Sequence, residues 1–183
     1  MKILFLDGHP KKNARHYKDY LKELIKNLTD RGHVVDSLVI RDLDIRFCTG
    51  CWSCWVKTPG QCITKDDSHE VCRRAINSDL VLFATPLVVG CQSALMKKTQ
   101  DKLIPLVHPY IELVQGECHH IKRYDSYPLM GLLVEKAEGS DQEDVEITSD
   151  LFRRFALNIK NEKAWIWTMA KPVEEVADEI NHL

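Results

Sequence analysis

Lys2-Ile3-Leu4-Phe5-Leu6-Asp7-Gly8 opens the chain, and the reading of this stretch decides the fold. A short apolar run that ends on an acid and a glycine reads as a strand buried on both faces. Working outward, Tyr17, Tyr20, Leu21, Leu24, Ile25 and Leu28 recur at helical spacing within 14–28, so that segment reads as an amphipathic helix. Arg31-Gly32 closes it, because glycine accepts the left-handed cap conformation. Val34 to Ile40 reads as a second strand, which completes a βαβ unit with a right-handed crossover. Asp79 to Ala84, Leu129 to Glu135 and Lys163 to Met169 read as three further strands. Helices are expected over 67–77, 93–103, 144–159 and 173–183.

Five strands alternating with helices call for an α/β fold with a parallel sheet covered on both faces. The simplest solution is a flavodoxin-like three-layer sandwich with strand order 2-1-3-4-5. In that order a ligand sits at the carboxyl ends of strands 1 and 3, where the winding reverses. The loops that would touch it are 8–16 and 85–92. The chain has 183 residues, which favours one domain, 1–183, with a core large enough to stand without disulfides. Residues 104–128, rich in His and Tyr, read as an excursion from that core.

The formal net charge is -2, with acids and bases interspersed, unlike the basic footprint of a nucleic-acid binder. Lys97, Lys98 and Lys102 read as a solvated helix face. No stretch approaches the ~18 apolar residues that span a bilayer, and Met1 to Asp7 is too short for a signal peptide. A cytoplasmic protein is expected, and its seven cysteines are then thiols or metal ligands rather than disulfides.

The loop Gly8-His9-Pro10-Lys11-Lys12-Asn13-Ala14-Arg15-His16 joins strand 1 to helix 1. Backbone N–H groups and the dipole at a helix N-terminus attract an anion. Lys11, Lys12 and Arg15 add positive charge, and Asn13 or His16 can donate to a phosphate. An ordinary turn with surface lysines has the same composition. After strand 3, Thr85-Pro86-Leu87-Val88-Val89-Gly90 offers a stiff backbone at Pro86 and close approach at Gly90. Leu87 and Val88 are apolar faces against which a flat ring can pack.

These two loops resemble the flavodoxin-like NADPH-dependent FMN reductases. That family carries Gly-Ser-Pro-Arg-Lys-Xaa-Gly-Asn-Thr/Ser after strand 1, where Gly8, Pro10 and Lys11 fit. His9 replaces the usual Ser, and Arg15 and His16 fall near the usual Asn and Thr/Ser. After strand 3 the family has Ser-Pro-Val-Tyr-Xaa-Gly, then Leu-Lys and Asp-Arg. Here stand Thr85-Pro86-Leu87-Val88, Gly90, Leu95-Met96-Lys97 and Asp101-Lys102. The resemblance implies FMN held by Gly8, His9, Pro10, Lys11, Asn13, Arg15, His16, Thr85, Pro86, Leu87, Val88 and Gly90. A third flavin-facing segment is expected by position around Glu135 to Ser140. The resemblance also implies NAD(P)H or a reduced carrier as electron donor, and a homodimer or homotetramer.

Four of the seven cysteines, Cys48, Cys51, Cys54 and Cys62, fall in the loop 46–67. Random scatter would put fewer than one cysteine in so short a window. Steps of three residues wrap a loop around a point, close to the ferredoxin spacing for a [4Fe–4S] cluster. Tetrahedral zinc and a redox-active dithiol fit the same residues. The run also resembles the iron–sulfur flavoprotein branch of the superfamily, which carries Cys-Xaa2-Cys-Xaa2-Cys and a later Cys after strand 2. Trp52 and Trp55 are expected to pack over this loop, and Cys72 and Cys91 in or near the core. Cys118, His119, His120 and His108 lie in the excursion, without a recognisable ligand spacing. The reading is an FMN-dependent oxidoreductase with a [4Fe–4S] cluster on the cysteine loop. Its rival is a non-enzymatic redox- or metal-sensing protein on the same fold.

Overall fold

In the computed structural model, which describes residues 1–183, the chain opens with β1 (Lys2–Asp7), an inner strand of the main sheet, and α1 (Arg15–Asp30) follows it. The other elements in chain order are β2 (Val34–Val39), α2 (Ser53–Val56), α3 (Ser68–Ile76), β3 (Leu80–Val88), β4 (Cys91–Gln92), α4 (Ala94–Asp101), β5 (Val107–Val114), β6 (Glu117–Lys122), β7 (Leu129–Glu135), α5 (Gln142–Asn158), β8 (Ala164–Thr168) and α6 (Val173–Asn181). The main sheet runs β2-β1-β3-β7-β8, all parallel. This is the flavodoxin-like order expected from the alternation of elements.

Alternation along each strand feeds two cores. Ile3 and Phe5 of β1, Leu80 and Leu82 of β3, Leu133 of β7 and Trp167 of β8 face α1 and α6. Leu4, Leu6, Val81, Phe83, Leu132 and Val134 point to the opposite face, against Val71, Met96 and Phe152 from α3, α4 and α5. Strands that are apolar on both faces give up the in-out pattern, which is why they read as continuous apolar runs.

Two segments differ from expectation. Residues 85–92, read as a loop, continue β3 to Val88 and turn back as β4, which pairs antiparallel through Leu87–Gln92 and Val88–Cys91. Val89 and Gly90 both take positive φ, 51° and 72°, the geometry of a tight two-residue hairpin turn. Gly90 is required twice over, since a Cβ there would overlap the Asp144 carboxylate. Cys91, expected near the core, is instead exposed on this hairpin. The 104–128 excursion is a second hairpin, β5–β6, turning at Gln115 and Gly116 with φ of 52° and 81°. Its base is tied to the body by Arg123 Nε donating to Pro105 O at 2.9 Å and by the Tyr127 hydroxyl donating to Leu106 O. His119 is buried within it, while Cys118 is exposed.

Gly131 in β7 tests how tightly the α1–α6 face is packed. A Cβ there would lie 2.7 Å from Trp167 Cζ3 and 3.2 Å from Leu82 Cδ1. Trp167 has little room to withdraw, because its indole N–H donates to Glu179 Oε2 at 2.7 Å. Gly131→Ala is expected to destabilise the protein by about 1–3 kcal/mol through overpacking. Urea unfolding measures this, and a midpoint equal to wild type would show that the face is looser than described.

Candidate functional site

The carboxyl end of β1 is joined at Gly8 to the middle of β3, where the β1–β3 pairing ends. Its N–H donates to Ala84 O at 2.9 Å, and its carbonyl accepts from Ser93 Oγ at 2.6 Å. A Cβ on Gly8 would meet Met96 Cε at 2.7 Å and Ala84 O at 3.3 Å, so only glycine brings the chains this close. The Tyr17 hydroxyl donates to the same Ala84 oxygen at 2.8 Å. Burial, and next the neighbouring Asp7, hold that phenol well above its usual pKa, so it stays a donor.

Beyond Gly8 the loop is ordered by Asp7 and Arg41, neither of which sequence reasoning singled out. Asp7 Oδ1 accepts from His9 N at 2.9 Å. Arg41 Nη1 donates to Asp7 Oδ2 at 3.0 Å and to His9 O at 3.3 Å. His9 is buried, its ring tilted on Tyr17 with centroids 4.7 Å apart. Its Nδ1 accepts from Lys11 N at 3.0 Å, which leaves Nε2 as the nitrogen that can donate. Nε2 faces Glu135 Oε2 at 3.5 Å, and His16 Nδ1 faces Glu135 Oε1 at 3.5 Å. A carboxylate from the tip of β7 is thus held between two imidazoles beside the first turn of α1. That helix starts without a capping side chain and without an acid in its first turn. Pro10, Lys11, Lys12, Asn13, Arg15 and His16 are exposed.

On the β3 side, Thr85, Pro86 and Leu87 are buried. The Thr85 hydroxyl accepts from Ser93 N at 3.0 Å and donates to Pro86 O at 3.0 Å. Val88 and Val89 project into solvent at the hairpin tip. Gly90 O accepts from Thr148 Oγ1 at 3.1 Å, which fixes the hairpin to α5. The two loops therefore meet, with the cations of one and the apolar tip of the other exposed.

The cysteine loop is tied at both ends. Asp67 N donates to Asp44 O at 2.9 Å, and Asp44 N returns a bond to Asp67 Oδ2 at 2.7 Å. The Trp55 indole donates to Val107 O at 3.0 Å and lies 4.9 Å from the His120 ring, so Trp55 packs as expected. Trp52 is exposed and takes a left-handed φ of 58°, starting α2. Cys48, Cys51, Cys54 and Cys62 line one cavity of about 170 Å³, walled by Phe47, Trp52, Trp55, Ile104 and Pro105. No three such side chains are gathered closely enough to hold a single metal ion. Hydrogen bonds from Ser53 lower the pKa of Cys51, whereas burial, then the charges of Cys62, Cys48 and Cys51, raise that of Cys54. Cys72 lies outside the cavity, and burial pushes its thiol up to about 12.

Lys102 also lines this cavity, with its side chain 2% exposed. It does not share the solvated face of Lys97 and Lys98, because α4 ends at Asp101 and Lys102 turns inward as its cap. Nζ donates to Cys62 Sγ at 3.1 Å and to Asp66 Oδ2 at 3.0 Å. Burial alone would lower the ammonium pKa, but the bonds to Cys62 and Asp66 outweigh it and the net shift is upward. Asp66 is held in turn at about 2, its burial outweighed by Ser68, Lys102 and the N–H of Arg46.

The chain resembles an iron–sulfur flavoprotein of Archaeoglobus fulgidus, with 33% identity over 108 residues, 59% of this chain and 48% of that protein. An iron–sulfur flavoprotein of Methanosarcina thermophila is 24% identical over 106 residues, 58% of this chain and 54% of its own. The chain spans about half the length of the curated relatives it matches. Among solved structures, an azoreductase from Bacillus anthracis superposes with a TM-score of 0.70 at 11% identity, covering 100% of both chains. The NAD(P)H:quinone oxidoreductase of Methanothermobacter marburgensis does so with a TM-score of 0.64 at 17% identity, covering 99% of this chain and 93% of the other. No helix is long and apolar enough to cross a membrane. Residues 1–116, from β1 to the turn of the β5–β6 hairpin, match the NADPH-dependent FMN reductase family, and the chain belongs to it.

Proposed function

We propose that the chain is an FMN-dependent oxidoreductase that takes electrons from NAD(P)H or a reduced carrier and passes them to a small molecule or a carrier protein. The observation that carries this reading is the junction at Gly8, which brings the tip of β1 against β3 at the switch point beside an uncapped α1 N-terminus. Open parallel sheets bind ligands at that place, in the crevice where the strand order reverses. His9 and His16, each 3.5 Å from the Glu135 carboxylate, put two imidazole nitrogens beside the place where a phosphate would sit. Lys11, Lys12 and Arg15 would surround the flavin phosphate with positive charge, while Asn13 donates to it. Val88 and the hairpin backbone, set by Pro86, Leu87 and Gly90, would border the ring. Bound FMN supplies the redox chemistry, accepting a hydride and releasing electrons singly or in pairs. The protein's part is to hold and orient it. Asp7 and Arg41 fix the loop, and Tyr17 keeps β3 closed against it.

The same reading places a [4Fe–4S] cluster on Cys48, Cys51, Cys54 and Cys62. Its support is the shared cavity and the soft thiolate donor set. Self-association as a dimer or tetramer is part of the proposal, supported by Tyr110, Ile111 and Leu113 exposed on the β5–β6 hairpin.

Anaerobic purification with an absorbance spectrum and iron and zinc analysis tests the whole. Stoichiometric flavin and iron are expected, whereas a colourless protein holding zinc would favour a sensor. Cys51→Ser is expected to abolish iron retention while leaving flavin bound, and loss of both together would count against separate sites. Glu135→Gln removes a like charge from the phosphate's neighbourhood, which contributes about 1 kcal/mol at a partly exposed position. FMN should then bind roughly 5-fold tighter, with no gain for riboflavin, which lacks the phosphate. An equal gain for both flavins would place Glu135 away from the phosphate.

A further inference from the structure

A lysine with its charged end buried beside a thiol needs a physical reason. Removing an ammonium from water is costly unless it is paired and hydrogen-bonded. Lys102 has two partners inside the protein, Cys62 Sγ at 3.1 Å and Asp66 Oδ2 at 3.0 Å, with its own side chain 2% exposed and that of Asp66 0% exposed. Asp66 does not depend on Lys102 for its place. Its Oδ2 accepts from Arg46 N at 3.1 Å, and its Oδ1 accepts from Ser68 N at 3.0 Å and from the Ser68 hydroxyl. Cys62 is fixed from its other side by His69 Nε2 bonding its carbonyl oxygen at 2.8 Å. The Lys102 backbone is held by Cys72 Sγ donating to its carbonyl at 3.2 Å. The three side chains thus form a line, Asp66–Lys102–Cys62, with each member separately anchored and its end at the wall of the four-cysteine cavity.

The geometry points to Lys102 as the built-in counter-ion of Cys62, and to Asp66 as the group that offsets its charge, the two together setting the reduction potential of a metal centre held by the cysteine loop. This inference rests on the cluster reading given above and adds to it the residues that tune the centre. Lys102 is a positioning residue here, acting through the Cys62 sulfur. The physical reason for a direction is simple. Reduction adds one negative charge to a cluster and its thiolates. A fixed cation hydrogen-bonded to a ligating sulfur stabilises the more negative state more, so it raises the potential. A buried carboxylate behind that cation weakens the effect. One charge acts directly and the other through it, so their removal must shift the potential in opposite directions.

The test uses the full chain, purified anaerobically and reconstituted with ferrous iron and sulfide, with iron content and an EPR-monitored redox titration as readouts. Lys102→Met keeps the stem and removes the charge, and the cluster potential should move to more negative values. Asp66→Asn keeps the shape and leaves Lys102 without its offset, and the potential should move to more positive values. Lys102→Arg should restore the wild-type direction, because it keeps a cation able to donate to sulfur. The double variant, Lys102→Met with Asp66→Asn, should lie between the two single ones. A purely structural role would lower thermal stability in both single variants without opposite shifts in potential. Should Lys102→Met retain too little iron to titrate, the positive shift of Asp66→Asn still carries the sign, and an unshifted or negative potential there would overturn the inference. Equal potentials in variants that load iron as well as wild type would overturn the inference and leave the cluster reading intact. A wild-type protein that takes up no iron would remove both.

Discussion

The geometry of the proposed cofactor edge depends on one close approach, at Gly8. The chain leaves β1 there and must bend sharply while touching β3. It can do so because Gly8 presents no side chain to Met96 and Ala84, and because both of its peptide groups are bonded across the gap. Tyr17 closes the same oxygen from below. Any side chain at Gly8 would push the loop away from β3 and separate the two segments that the fold brings to one edge. A parallel sheet gains its crevice at the point where winding reverses. In this chain the crevice is set by a glycine, a serine hydroxyl and a buried phenol.

What was legible in the sequence was what local pattern controls. The runs Ile3–Leu6 and Leu80–Ala84 are apolar on both faces, which marks buried parallel strands, and their alternation with helices points to the order of the sheet. The hairpins were missed because their turns are Val89-Gly90 and Gln115-Gly116 rather than the Asn-Gly or Asp-Gly pairs that signal such turns. Lys102 was misread for a different reason. Its neighbours Lys97 and Lys98 lie on a helix face, but one residue beyond the end of α4 the backbone changes direction and the side chain enters the core. Asp7 and Arg41 carry no local signal of their pairing, and Glu135 is marked only by its position at the end of a strand. Asp7 and Arg41 are 34 positions apart, and Glu135 reaches His9 and His16 only because β7 lies beside β3 in the folded sheet.

The cysteine loop shows how a long connection with only one short helical turn, α2, can be ordered. Backbone groups of residues 44 and 46 find the carboxylates of Asp67 and Asp66, so the two ends of the loop are clamped together before the cysteines begin and after they finish. Trp55 then ties the middle to the start of the β5–β6 hairpin. These contacts put the thiols on one wall with little dependence on each other. That distinguishes the arrangement from a loop whose shape is made only by the metal it binds.

The family match ends at residue 116, yet two of the groups that shape the proposed cofactor edge come from beyond it. Glu135 enters from β7 and sits between the two histidines of the first loop. Asp144 enters from α5 and presses on Gly90 at the turn of the second. Both are acids, and both approach a region whose shared part exposes the cations Lys11, Lys12 and Arg15, its own acid Asp7 being paired with Arg41. A phosphate placed near Lys11 and Arg15 would therefore meet attraction from the matched segment and repulsion from the unmatched one. The first is spread over exposed, screened side chains, whereas the Glu135 carboxylate is only 20% exposed and is screened less. The balance between them is fixed by where β7 ends. On the proposed reading, the strength with which the shared loop would hold a phosphate depends on a residue more than a hundred positions away.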